Sequence, residues 1–190
     1  MRKRATDRNL LLAGLMASVL TGLTALAPAQ EAEPLALAPA SAMARSPKVK
    51  SLDFTTAICW VESGEEGNRR IRNVVLKDGR VSSAQLLAKT RTISKDSIGG
   101  AADLDLSINP EDNQPGIVWI RSIDDGNSVI FGRRQGDPVE VFSSSNVLEL
   151  PVIEYDGEGN PYVAWSEIAG GQSRVYAARL DDQGNWVRKP

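Results

Sequence analysis

Residues Pro151 to Trp186 read PVIEYDGEGNPYVAWSEIAGGQSRVYAARLDDQGNW, and this stretch sets the pattern for the rest of the chain. Two short apolar runs, Pro161–Ser166 and Arg174–Leu180, are separated by the pair Gly170-Gly171. Glycine weakens a helix, and both runs are bounded by turn residues, so both are predicted to be strands. The segment before the first run, Asp156–Asn160, supplies glycine and asparagine for the positive φ angles of a tight turn.

Weaker copies of this stretch occur earlier in the chain, each centred on one tryptophan. Trp165 follows Trp119 by 46 positions (165 − 119), and Trp119 follows Trp60 by 59 (119 − 60). The longer first interval indicates an insertion near Lys89–Gly100. A period of roughly 40–50 residues, with several short strands in each copy, is typical of β-propeller blades.

The match between the last two copies extends beyond the tryptophan. At the 46-position offset Val129 aligns with Val175, and Arg133 aligns with Arg179, with no gap (175 − 129 and 179 − 133). The predicted fold class is therefore all-β, with β-propeller-like repeats of four strands over residues 51–190. Three such blades, the first and last incomplete, make an incomplete ring.

An incomplete ring leaves sheet faces and edges uncovered, because propellers typically close with four to eight blades. The preferred expectation is a homo-oligomer, for example two protomers completing one ring. A partner chain that covers the open side and a longer propeller of which this is a piece are the alternatives.

The N-terminus is predicted to be a signal peptide. Four basic residues precede an apolar stretch, Leu10–Leu26, which is followed by the small-residue pattern Ala27-Pro-Ala29. Residues 1–29 would then be removed on export to the periplasm or the cell exterior, and an uncleaved membrane anchor is the alternative. Residues 30–50, rich in Ala and Pro, are predicted to be a linker.

Composition excludes several classes of function. The net charge is −2, which gives no basic footprint for nucleic acid or for a membrane surface. The chain has no histidine, so Ser-His-Asp, Cys-His and His-ligated zinc sites are ruled out. Cys59 is the single cysteine and is predicted to be a small core residue. The sequence predicts no cofactor.

The repeated motif resembles the blades of sialidase-like β-propellers, which occur in exported bacterial proteins. The residues that carry the resemblance are Asp156–Trp165, Val175–Arg179 and Gly184–Trp186. The Asp-box of sialidases reads Ser-x-Asp-x-Gly-x-Thr-Trp, and its nearest match here is Asp182–Trp186. That match has Leu180 in place of the serine and lacks the threonine. The resemblance therefore supports the architecture more than the enzyme.

Candidate ligand-binding residues follow from the same resemblance, which implies an arginine cluster for a substrate carboxylate and a tyrosine activated by a glutamate. The residues that fit are Arg133, Arg179 and Tyr155, and Trp186 is added because it lies beside a polar turn. Tyr155 follows Glu154 directly, and neighbouring strand residues point to opposite sides, which argues against catalysis. No catalytic residue is predicted, and a non-enzyme is favoured.

Two further patterns have alternative interpretations. Asp156, Glu158 and Asn160 alternate as in a calcium loop, with Glu167 at the twelfth position, but a turn with solvated carboxylates is favoured and no metal site is predicted. The three repeated tryptophans fit either sugar-stacking platforms or core packing between blades, and the apolar flanks favour core packing.

The function predicted from the sequence is a non-catalytic interaction module outside the cytoplasm. It would bind protein or glycan through the loops at the blade ends, without nucleic acid. A partial or degenerate sialidase-like glycoside hydrolase is the second interpretation. A structural piece completed by a partner chain is the third.

Overall fold

The computed structural model describes residues 36–38, 44–63, 68–91, 104–123 and 126–189, which form strands and turns and no helix. Within these ranges no helix could cross a membrane. The predicted signal peptide, residues 1–29, and residues 92–100 of the predicted insertion lie outside the described residues. The strands are β1 (Ala44–Leu52), β2 (Thr55–Ser63), β3 (Asn68–Lys77), β4 (Arg80–Val81), β5 (Gln85–Arg91), β6 (Leu104–Ile108), β7 (Pro115–Ile123), β8 (Gly126–Arg133), β9 (Val139–Ser144), β10 (Val147–Tyr155), β11 (Pro161–Ala169), β12 (Gln172–Leu180) and β13 (Trp186–Lys189).

The strands form three antiparallel sheets that follow one another along the chain. The first sheet has the order β1-β2-β3, with β4 and β5 both paired to β3. The second sheet is β6-β7-β8-β9, and the third is β10-β11-β12-β13. The four-stranded repeat predicted from the sequence is confirmed, and in the first sheet the fourth strand is divided into β4 and β5, which pair with different parts of β3. Within residues 81–89, Val81 belongs to β4 and residues 85–89 belong to β5.

The three sheets pack face to face, and no closed ring forms among the described residues. The first strand of each sheet lies innermost, and β6 contacts both β1 and β10. One apolar cluster joins the first and second sheets, and a second cluster joins the second and third. Each sheet therefore buries one face against the next, as blades of a propeller do.

The repeated tryptophans occupy the same place in the second strand of each sheet. Trp60, Trp119 and Trp165 are 3%, 3% and 1% exposed. Trp119 packs between the first and second sheets, and Trp165 packs between the second and third. Trp60 alternates with Cys59 and Val61, which face the second sheet, so its own side chain lies on the opposite face. Core packing between sheets is confirmed for Trp119 and Trp165, whereas Trp60 is buried outside both clusters.

One boundary predicted from the sequence is wrong. Residues 30–50 are predicted to be a linker. Ala44–Leu52 instead form β1, and the chain turns at Asp53, which has a φ of 49°. The hydrophobic pattern of the sequence did not indicate this strand, because Lys48 and Lys50 stand at positions where a half-buried strand has apolar residues.

The innermost strands of the first and third sheets share a β-bulge. Ser46 and Leu150 both have a φ of 51°, and each precedes a proline. The pairing register with the next strand shifts at these two places. A bulge bends a strand and re-aims the side chains that follow it. The residues beyond each bulge lead to the end of the sheet where the candidate site lies.

Candidate functional site

The innermost strands bring three polar side chains together near their C-terminal ends. Each residue pairs with the position three before its sheet's tryptophan, so all three occupy one repeat position. The residues are Lys50 in β1, Ser107 in β6 and Glu154 in β10, and we call them the axial cluster.

The axial cluster is an ion pair supported by a hydroxyl group. Lys50 Nζ donates to Glu154 Oε1, and Ser107 Oγ donates to Glu154 Oε2 over 2.7 Å. Burial acts to raise the pKa of Glu154, but the bonds from Lys50 and Ser107 outweigh it and hold the pKa below the usual 4.5. Glu154 is therefore ionised at neutral pH and cannot serve as a general acid there.

Polar residues in β6 and directly after it also connect the second sheet to the third. Asp105 Oδ2 accepts a hydrogen bond of 3.1 Å from the backbone N–H of Ile153, and Asn109 Nδ2 donates to the carbonyl oxygen of Gly159 over 3.4 Å. Asp105 lies two residues before Ser107, so the two side chains are on the same face of β6. Its bond to a backbone amide gives it a structural role at the junction.

Two of the four predicted ligand-binding residues lie together between the second and third sheets. The guanidinium carbon of Arg133 is 5.8 Å from the centre of the Tyr155 ring. Tyr155 lies against Gly116, where an added Cβ would collide with the tyrosine hydroxyl. Burial raises the pKa of Tyr155 and outweighs the charge of Arg133, so the phenol stays protonated and is a poor nucleophile at neutral pH.

The other two predicted residues lie apart from this pair. Trp186 is half-buried and meets the Phe131 ring edge-on at 5.4 Å. Arg179 pairs in register with Tyr162, and its side chain is on the face of the third sheet that points away from the second. Arg133, Tyr155 and Trp186 thus belong to one sheet junction and Arg179 to another surface. Their role in ligand binding stays a prediction.

The carboxylates of the calcium-like pattern have separate partners. Asp156 Oδ1 accepts the backbone N–H groups of Glu158 and Asn160, which closes its own turn. Glu167 Oε1 instead accepts hydrogen bonds from Ser144 Oγ over 2.6 Å and from Asn146 Nδ2 over 2.9 Å. The favoured interpretation of Asp156–Asn160 as a turn is confirmed.

Glu167 should stabilise the junction of the second and third sheets in a pH-dependent way. Hydrogen bonds from Asn146 and Ser144 hold its pKa below the usual 4.5. A lowered folded-state pKa gives stability that is present above the unfolded pKa and is lost as the pH falls through the folded value. Glu167→Gln should therefore lower the free energy of unfolding at pH 7 by about 1–2 kcal/mol, and by less at pH 3. Urea unfolding at both pH values measures this, and Glu158→Gln in the exposed turn is the control. An equal loss at both pH values would contradict the charge-based explanation.

A basic groove between the first and second sheets was not found from the sequence. Its volume is about 660 Å³, and it is lined by Val75, Lys77, Asp78, Arg80, Val81, Ser82, Gln114 and Arg134. Arg134 Nη1 donates to Ser82 Oγ over 3.2 Å, and Ser82 Oγ also accepts the backbone N–H of Val75 over 2.9 Å. The lining has three cationic side chains against one carboxylate, which favours a negatively charged ligand.

The repeat pattern of the sequence selected Arg133 as a candidate, whereas the arginine in the groove is its neighbour Arg134. Arg133 aligns with Arg179, whereas Arg134 aligns with Leu180 and so has no arginine counterpart. The groove forms because the β3–β4 hairpin meets the ends of β7 and β8. The excess of basic residues at this end of the sheets could have indicated the groove. Counting them requires knowledge of which strands are neighbours, and the sequence does not supply it.

Comparisons with solved structures find propeller-fold glycoside hydrolases. A xylan β-1,4-xylosidase from Bacillus halodurans C-125 matches with a TM-score of 0.50 and 15% identity, over 79% of this chain and 31% of that one. An endo-arabinase from Bacteroides thetaiotaomicron VPI-5482 matches with a TM-score of 0.48 and 18% identity, over 76% of this chain and 60% of that one. The chain thus spans less than two thirds of either enzyme. No protein-family model and no curated protein matches it. The similarity supports the β-propeller architecture.

Proposed function

We propose that the chain is a non-catalytic glycan-binding module that acts outside the cytoplasm and holds acidic glycans in the basic groove. Support for a glycan ligand comes from the fold, which is shared with a xylan β-1,4-xylosidase. This support is an analogy between folds, because one fold hosts many activities.

The state of Glu154 is the observation that favours binding over hydrolysis. Glycosidases that use paired carboxyl groups need one with a raised pKa to protonate the leaving oxygen. In the axial cluster the pKa of Glu154 is lowered instead, because Lys50 and Ser107 stabilise its charged form. Neighbouring Asp105 is held by a backbone amide. Glu154 therefore does not have the surroundings of a general acid.

The groove fits a ligand with carboxylate groups, such as a chain of uronic acids. Arginine binds carboxylates through paired N–H donors, and Ser82 fixes one end of the Arg134 guanidinium while leaving its other donors for a ligand. Lys77 and Arg80 add charge along the same groove. We expect affinity that falls as the salt concentration rises.

Calorimetric titration with polygalacturonate tests the proposal, with neutral xylan and arabinan as comparison ligands. Arg134→Gln should weaken polygalacturonate binding at least ~10-fold, the loss expected for a charge-assisted hydrogen bond of ~1.5 kcal/mol or more. Arg174→Gln, on an exposed part of β12 away from the groove, is the matched control. No reducing ends should be released by the wild type. Binding that is indifferent to Arg134 would contradict the assignment of the groove, and release of reducing ends would contradict the non-catalytic role.

The sialidase-like alternative rests on the turn Asp182–Trp186 and on the predicted residue Arg179. A fluorogenic sialoside tests it directly. Turnover that disappears in Arg179→Ala would favour a degenerate sialidase, whereas no turnover is expected from the proposed binding module. The third interpretation, a structural piece completed by another chain, predicts a stable complex when the protein is isolated from the extracytoplasmic fraction.

The proposed location rests on the predicted signal peptide. N-terminal sequencing of protein exported by a bacterial host checks it. We expect the mature chain to begin at Gln30, directly after the Ala27-Pro-Ala29 pattern. A chain that stays in the membrane with its N-terminus intact would support the anchor instead.

A further inference from the structure

The tip of the β3–β4 hairpin places one carboxylate inside the otherwise cationic groove. β3 ends at Lys77 and β4 begins at Arg80, so the loop between them consists of Asp78 and Gly79 alone. Lys77 and Arg80 pair directly across the hairpin, and both line the groove together with Asp78. Like charges directly opposite each other destabilise a hairpin, so the stability of the hairpin does not explain this pair of cations.

The hairpin turn does not require a carboxylate at its first position. Asp78 and Gly79 have φ angles of 49° and 72°. Positive φ at both central residues is typical of type I′ turns, in which asparagine serves as well as aspartate. In three other turns the aspartate accepts a backbone N–H group of its own turn: Asp112, Asp156 and Asp181. Asp78, by contrast, accepts no hydrogen bond from any residue that the structure describes.

The Asp78 carboxylate also does not neutralise the two cations beside it. The three ion pairs found among the described residues all lie outside the groove. Asp78 is therefore not an ion-pair partner of Lys77 or of Arg80, although the three side chains line the same groove. The oxygens of the carboxylate and the N–H donors of both cations stay available to a ligand.

Building on the proposed binding of acidic glycans, we propose that Asp78 makes the groove selective for sugars that carry a carboxylate together with free hydroxyl groups. Lys77, Arg80 and Arg134 hold the carboxylates of the sugar chain, and Asp78 accepts hydrogen bonds from its hydroxyl groups. A polyanion without hydroxyl groups, such as polyphosphate, is attracted by the same cations but repelled by Asp78. One residue thus supplies both an attractive and a repulsive element of specificity.

Asp78→Asn tests this role without disturbing the turn, because asparagine is favoured at the same position of a type I′ turn. Calorimetric titrations with polygalacturonate and with polyphosphate of matched chain length, at one salt concentration, give the ratio of the two dissociation constants. In Asp78→Asn this ratio should shift at least ~10-fold in favour of polyphosphate, because the hydroxyl contact is weakened and the repulsion is removed. The melting temperature should stay unchanged.

Asp53→Asn is the matched control for the effect of net charge. Asp53 is an exposed aspartate in the turn between β1 and β2, has the same φ of 49°, and lies outside the lining of the groove. The control removes the same charge and should leave the ratio of dissociation constants unchanged. An equal shift in both variants would show that net charge alone sets the ratio, and would overturn the role of Asp78.

O-acetylated polygalacturonate tests the hydroxyl contact separately, because it keeps the carboxylates and blocks the hydroxyl donors. The wild type should bind it at least ~5-fold more weakly than the unmodified polymer, and this loss should shrink in Asp78→Asn. An equal loss in both proteins would contradict the contact.

The role of Asp78 and the proposed function can fail separately. Polygalacturonate binding that depends on Arg134, combined with a ratio that is the same in wild type and Asp78→Asn, would refute the role of Asp78 and leave the proposed function intact. A wild type that binds no polygalacturonate would overturn both.

Discussion

Replacement of Trp165 by alanine should lower the free energy of unfolding by about 3–5 kcal/mol, the usual loss for a large aromatic residue in a core. Trp165 is 1% exposed. Its ring stacks on Phe142 with centres 5.1 Å apart and lies 6.2 Å from the ring of Tyr176. The substitution removes this contact between the second and third sheets and leaves a cavity. Urea unfolding monitored by circular dichroism measures the loss.

Trp186→Ala is the control for this prediction. Trp186 is half-buried and makes an edge contact with Phe131, so its removal should cost less than that of Trp165. If Trp165→Ala kept full stability but lost glycan binding, the tryptophan would be a sugar platform. The packing role derived from its burial would then be wrong.

The second large effect is expected at a matched pair of valines. Val129→Asp should cost at least ~4 kcal/mol, because it buries an unpaired carboxylate between two sheets. Val175→Asp at the same repeat position should lower the free energy of unfolding by only ~1 kcal/mol or less, because this side chain is exposed and the loss is limited to strand propensity. Thermal and urea unfolding at about 1 μM measure both variants.

The pair tests whether the three sheets are successive copies of one unit. The side chains and the substitution are identical, so only the presence of a covering sheet differs between them. Equal losses in both variants would mean that the outward face of the third sheet is covered in the monomer.

Turn chemistry is the part of the fold that the sequence predicts best. The motif Asp-x-x-Gly-Asn occurs at Asp156–Asn160 and again at Asp181–Asn185. In both turns the aspartate Oδ1 accepts two backbone N–H groups, and the glycine has a positive φ, 76° at Gly159 and 79° at Gly184. The sequence alone identifies these turns because their geometry depends on local residues.

The first strand escaped prediction because its stabilising contacts are remote in sequence. Lys50 in β1 pairs with Glu154 in the third sheet. Without knowledge of its partner, a lysine at that position indicates a solvent-exposed linker. The few apolar residues of β1 are therefore too few to give a detectable strand periodicity.

The axial cluster was missed for a related reason. Lys50, Ser107 and Glu154 share one repeat position but differ in residue type, so a search for repeated identities does not select them. Their relationship becomes visible only when strand register is known. By contrast, the repeat pattern selected Arg133 and Arg179 together as ligand-binding candidates, although they lie on different surfaces.

The protonation behaviour of Glu154 decides most directly between a binding module and an enzyme. Titration of its side-chain carboxyl carbon by NMR should give a pKa below that of an ordinary glutamate. Lys50→Met should raise that pKa, because the main charge partner is lost. A wild-type pKa above the ordinary value, unchanged in Lys50→Met, would contradict this account and identify Glu154 as a candidate general acid.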